Sequence, residues 1–136
     1  MITNYDKAVK EHILFLEFKI SSDANGKHEN VKLVSAVSGN GKMKDLNNPV
    51  LDPYRIVAVP RYKTSILVKE LYFEHPLFRT VEVASESGTL SKKSITATEG
   101  SLSIRIQENE HMNRIELFSV TPEKGTIKIY TVYLEP

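Results

Sequence analysis

Ser101-Leu102-Ser103-Ile104-Arg105-Ile106-Gln107 is the stretch whose reading decides the fold. Leu102, Ile104 and Ile106 alternate with serine, arginine and glutamine. Successive side chains of a strand point to opposite faces, so a period of two marks a strand with one face on a core and the other in water. The same alternation returns at Leu14, Leu16, Phe18 and Ile20, and again at Ile127 and Ile129. Antiparallel sheets are the ones that leave one face wet, so the repetition predicts an all-β chain.

Turn chemistry punctuates the apolar runs about every ten residues, the spacing of a sandwich or barrel. Strands are expected at 11–20, 30–37, 54–60, 65–74, 78–84, 90–98, 101–108, 114–120 and 126–134. The breaks between them are Asp23 to Gly26, Ser38 to Gly41, Ser85 to Gly88, Glu99-Gly100, Asn109 to Asn113, and Thr121 to Gly125. Asn and Gly tolerate the positive φ of tight turns, and Pro presets a first corner. Residues 43–53 hold two prolines and two asparagines and read as a long loop, with a short edge strand around Lys42 to Leu46. Asn4 has the chemistry to cap a short helix over Tyr5 to Glu11, and a strand extension suits the same residues equally.

The domain reading is a polar N-terminal extension over 1–10 and one antiparallel β-sandwich over 11–136, immunoglobulin-like or of related topology, with a closed β-barrel as the alternative. Its expected core is Leu14, Leu16, Phe18, Val31, Leu33, Ile56, Val68, Leu71, Phe73, Val81, Val83, Ile95, Leu102, Ile104, Ile106, Ile115, Leu117, Ile127 and Ile129. A chain of 136 residues buries about two thirds of its unfolded surface, enough to fold without staples.

Charge excludes more than it suggests. Lys+Arg 18 against Asp+Glu 17 leaves +1, and the two halves, 1–68 and 69–136, carry only +3 and −2, so no nucleic-acid partner is expected. Cysteine is absent, which removes disulfides and thiolate chemistry without fixing a compartment. The run Ile13 to Leu16 is far below the about 7–15 apolar residues of a signal peptide and the about 20 of a membrane span. The sequence therefore reads as soluble, and a signal removed before numbering leaves no trace.

No catalytic or metal-binding pattern stands out. His12, His28, His75 and His111 lie in separate segments without zinc-ligand spacing, and isolated histidines are commonly surface residues or hydrogen-bonded strand ends. Asp23-Ala24-Asn25-Gly26 places its glycine too early for an EF-hand, and Asp45 to Asp52 gathers oxygen ligands without clustered carboxylates. No serine has the G-x-S-x-G offsets, and Gly39-Asn40-Gly41-Lys42 matches neither phosphate-binding spacing. Hence no catalytic residue, metal or cofactor is assigned, and an enzyme, as a small hydrolase with an unrecognised site, ranks third among the readings.

Binding is favoured on composition. Tyr54, Arg55, Arg61 and Tyr62 bracket the apolar run Ile56 to Val59, and Tyr and Arg are the types enriched at interaction hot spots. Pro53 and Pro60 suggest that this run is an edge, where a second strand can add. The competing reading is that strand-end Tyr and Arg cover core edges with their apolar bodies. A protein or glycan partner fits an adhesion-type module, although the lack of Trp weakens the glycan case. A self-assembling structural subunit is the alternative.

Glu74-His75-Pro76-Leu77, Val81-Glu82-Val83, the turn ending at Gly88 and the strand Ser101 to Gln107 together resemble small uncharacterised β-sandwich proteins exported by Bacteroidetes-type bacteria. The resemblance spans about a third of the chain. It implies an immunoglobulin-like fold and an extracytoplasmic location, and no activity.

Overall fold

The computed structural model describes residues 2–23, 28–43, 52–63, 70–84, 86–108 and 112–134, with backbone alone for 79–83 and 90–95. Among them are nine strands and no helix: β1 (His12–Ser22), β2 (Glu29–Asn40), β3 (Arg55–Tyr62), β4 (Leu71–Glu74), β5 (Phe78–Ala84), β6 (Leu90–Thr96), β7 (Glu99–Glu108), β8 (Met112–Thr121) and β9 (Gly125–Tyr133). All strand pairs are antiparallel. One sheet has the order β2-β1-β7 and a second β4-β3-β8-β9, while β5 and β6 pair with each other. The sheets pack face to face as a sandwich and do not close into a barrel.

Alternation explains the packing. Leu14, Leu16, Phe18 and Ile20 on β1 and Leu102, Ile104 and Ile106 on β7 meet Ile56, Ala58, Ile115 and Leu117 of the other sheet in one core cluster, joined by Leu77 from the β4–β5 connection. Each fully buried aliphatic or aromatic side chain contributes about 1.5–3 kcal/mol. In the immunoglobulin arrangement, sheets ABED and CFG, the second strand of the chain is central in its sheet. Here the first strand, β1, takes that place, and the second lies at the edge.

Several expectations need correction. Ile127 is 43% exposed, because the first half of β9 overhangs the core. Val31, Leu33, Leu71, Phe73 and Ile129 pack against the cluster but are only partly buried. Val68 lies outside the described residues, as do the side chains of Val81, Val83 and Ile95. Glu99-Gly100 is no turn: the pair opens β7, opposite Ser21 and Ile20. Glycine serves there for proximity, since a Cβ at Gly100 would sit 2.7 Å from the Pro76 carbonyl oxygen. Ser38 to Asn40 continue β2, and Met112 and Asn113 begin β8. Gly125, at φ +73°, closes the β8–β9 hairpin as its composition suggested.

No helix follows Asn4, which adopts φ +62°. Thr3 instead bridges Val37 in parallel, donating to the Ala36 carbonyl and accepting from the Ser38 amide. Of the segment expected as strand over 65–74, Leu71 to Glu74 is strand, Glu70 is not, and 65–69 lies outside the described residues; so do 44–51 of the expected loop, and with them Asp45, Asn47 and Asn48.

Candidate binding surface

The four residues singled out by composition fall on and beside β3. That strand is not an edge: β4 pairs with Arg55 to Ala58 on one side and β8 runs along the other. Beyond Ala58 the pairing with β4 ends, which is where Pro60, lacking an N–H, is accommodated. Tyr54 and Arg55 lie at one end, Arg61 and Tyr62 at the other, roughly 20 Å apart at about 3.3 Å per residue. They do not form one patch.

Each pair has its own partners. The Tyr54 hydroxyl donates to Glu123 Oε1 at 2.5 Å, and its ring stacks on Phe78 at 4.6 Å. That hydrogen bond raises the tyrosine above its ordinary range and holds Glu123 below the carboxylate range. Arg55 reaches the Asp52 carbonyl at 3.3 Å and lies over the Tyr72 ring. Tyr62 packs against the core cluster.

Arg61 belongs to a larger arrangement. Opposite residues of an antiparallel pair share a face, so Arg61, its partner Arg114 on β8 and the next partner Tyr133 on β9 form a row on the outward face of the four-stranded sheet. Glu116, two residues along β8, sits beside this row and is only 7% exposed. Arg61 Nε donates to its Oε1 at 2.5 Å, Lys128 Nζ lies 3.1 Å from Oε2, and Arg114 Nε is 3.8 Å away. The Arg61 hydrogen bond, against the opposing effect of burial and with help from Lys128, keeps Glu116 below the ordinary carboxylate range.

Tyr133 and Lys128 belong to β9, the outer strand of this sheet. Among the described residues it pairs with β8 and with no other strand, Ile129 falling at a shift of register. Tyr133 is 72% exposed, and every residue from Gly125 to Lys128 is exposed. The strands that border the two large sheets elsewhere are differently bounded. Thr3 and its two backbone hydrogen bonds lie against β2 at Ala36 to Ser38, β4 has four residues, and the start of β7 is crowded by Pro76.

Two buried histidine–carboxylate pairs, unforeseen in the reading of isolated histidines, lie elsewhere. His75 Nδ1 accepts the Leu77 amide at 3.2 Å, so its proton is on Nε2, which faces Glu29 Oε1 at 2.5 Å and Ser119 Oγ at 3.0 Å. Burial opposes ionisation of Glu29, but the His75 and Ser119 side chains beside it outweigh that and hold the carboxyl below its ordinary range. Serine, histidine and acid are thus together, yet not as a triad: there the serine and the acid use different ring nitrogens, whereas here both share Nε2, and Ser119 and His75 are buried. The second pair is His12 and Glu108, cross-strand partners on β1 and β7. His12 Nε2 donates to the Asp6 carbonyl at 2.6 Å, and Nδ1 lies 3.0 Å from Glu108 Oε1, off the line of a hydrogen bond. Tyr5 stacks on His12 at 4.2 Å and donates to Glu108 at 2.6 Å. Both sets tie segments together at opposite ends of the three-stranded sheet.

Among the described residues no three His, Cys, Asp or Glu side chains gather as a metal site, and no helix is long and apolar enough to cross a membrane. Asp52, the described member of the oxygen-rich stretch, turns its carboxylate to the Tyr54 amide at 2.9 Å. His28 is exposed, and His111 lies outside the described residues. Comparison with protein-family models, curated proteins and solved structures finds no match to this chain.

Proposed function

We propose that the chain is a non-catalytic interaction module that docks an extended segment of a protein partner along β9. The observation that carries this reading is the edge itself: among the described residues β9 has β8 as its one hydrogen-bonded neighbour strand, with Ile127 and Tyr133 exposed toward its two ends. Such an edge presents a row of backbone donors and acceptors that another strand completes, while side-chain contacts supply selectivity. A polypeptide offers the matching backbone groups and a glycan does not, so the partner is a protein. The adhesion-type role, and the extracytoplasmic location that the resemblance implies, are part of the same proposal. Of the four residues chosen by composition, Arg61 takes part through its row with Arg114 and Tyr133.

Selection of binders from a displayed library of random ten-residue peptides tests this. Enriched peptides are expected to lose binding to the double variant Ile127→Glu, Tyr133→Glu, whose charged side chains obstruct strand addition. Peptides that bind parent and variant alike would refute docking at β9. A parent that forms a stable dimer, lost in the variant, would transfer the same edge to the self-assembly reading.

A further inference from the structure

Three cations converge on one carboxylate beside β9. Arg61 and Arg114 stand directly opposite each other, an arrangement that costs stability for like charges unless something neutralises them. Glu116 supplies one negative charge to Arg61, Arg114 and Lys128 together. Arg114 additionally donates to Asn113 Oδ1, which is neutral. Among the described residues no second carboxylate comes within ion-pair distance of the three, so two positive charges remain on the outward face. The arginine side chains are 38% exposed and that of Lys128 is 54% exposed, so all three remain within reach of a bound molecule.

A strand added to β9 places its outward side chains about 4.5–5.5 Å from Lys128, Thr131 and Tyr133. Arg114 lies one strand further in, within the span of two long side chains. Resting on the docking proposed above, we infer that the partner segment is acidic, and that Lys128 and Arg114 take a glutamate or aspartate carboxylate from its outward face. Charge complementarity of this kind excludes wrong partners as well as attracting the right one. It also gives the lysine on β9 two roles: against an uncharged strand it is an obstacle, and against an acidic one a contact.

Fluorescence anisotropy with three labelled ten-residue peptides tests the inference: valine alternating with glutamate, with glutamine, or with lysine. The glutamate peptide is expected to bind parent protein at least about tenfold more tightly than the glutamine peptide, with the lysine peptide weakest. In the variant Arg114→Gln, Lys128→Gln, checked by its melting curve to be folded, that preference should fall below about twofold. Equal binding of the glutamate and glutamine peptides, both abolished by Ile127→Glu with Tyr133→Glu, would overturn the charge inference and leave docking at β9 standing. A preference for glutamate that survives in Arg114→Gln, Lys128→Gln would overturn it too. Binding of none of the peptides would refute the docking reading, and the inference with it.

Discussion

β3 and β9 belong to the same sheet and differ in length by one residue, yet one is built into the protein and the other is left at its border. From Ile56 to Pro60 every residue of β3 is buried, on both faces, with β8 along one side and β4 beside Ile56 to Ala58 on the other. In β9 the first four residues are exposed, and among the described residues its backbone pairs with a strand on one side alone. Composition points the other way, since β3 has the flanking tyrosines, arginines and prolines of a contact site. Position in the sheet, more than residue type, decides which strand is free to meet a partner.

A charge inside each strand probes that difference most strongly. Ile56→Asp places an unpaired carboxylate at a fully buried site and should unfold the domain, a loss of about 4 kcal/mol or more. Thr126→Asp in β9 should change stability by no more than about 0.5 kcal/mol. Melting curves of the two variants decide the matter: similar losses would mean that β9 is not an exposed border.

Next in size is the carboxylate that ties β3 to β8 and β9. Glu116→Gln leaves Arg61 facing Arg114 with no negative charge between them and should cost about 1–3 kcal/mol by denaturant titration. If acidic peptides compete with Glu116 for the same cations, this variant should also bind the valine–glutamate peptide more tightly than the parent does.

Acid gives a graded version of the same test. Glu29 and Glu116 are both held below the ordinary carboxylate range in the folded state, so in the unfolded chain they bind protons first as pH falls. The stability they contribute is present above about pH 4.5 and is lost as pH falls through their folded values. Melting temperature measured from pH 7 to pH 3 should therefore decline in the acid limb, and Glu29→Gln with Glu116→Gln should flatten that limb. An unchanged slope in the double variant would show that neither ion pair is formed as described.

Ile127→Glu with Tyr133→Glu should likewise cost little, about 0.5 kcal/mol or less for each, since Tyr133 is 72% and Ile127 43% exposed. A loss of several kcal/mol would place these residues in the core and remove the contrast with β3.

Much of this was legible in the chain. Each of the nine strands overlaps a segment that alternation and turn residues marked, with the ends displaced at β2, β4, β7 and β8, because period two and positive-φ turns are local signals. The uninterrupted run Ile56 to Val59 was the mark of a strand buried on both faces, and it outweighs Pro60, which merely needs to stand where pairing with β4 has stopped. His12 and Glu108 were readable as well. His12 precedes Leu14, Leu16 and Phe18 at the same period, and Glu108 follows Leu102, Ile104 and Ile106, so both belong to the core face that their alternation defines. What local pattern does not contain is the pairing of distant segments. Nothing in Glu29, His75 and Ser119 announces that β2, the β4–β5 connection and β8 meet, nor in Arg61, Arg114 and Lys128 that three strands align them. The open edge at β9 is likewise a property of sheet order, which depends on every strand at once.

Amide hydrogen exchange with and without a peptide selected from the library tests the central claim, that β9 is where a partner docks. In the free protein the amides of Thr126 to Tyr133 that do not bond to β8 should exchange fast, and bound peptide should slow them while leaving β3 unchanged. Protection confined to another surface, such as the outward face of β1 around the 45% exposed Phe15, with β9 still exchanging freely, would contradict it.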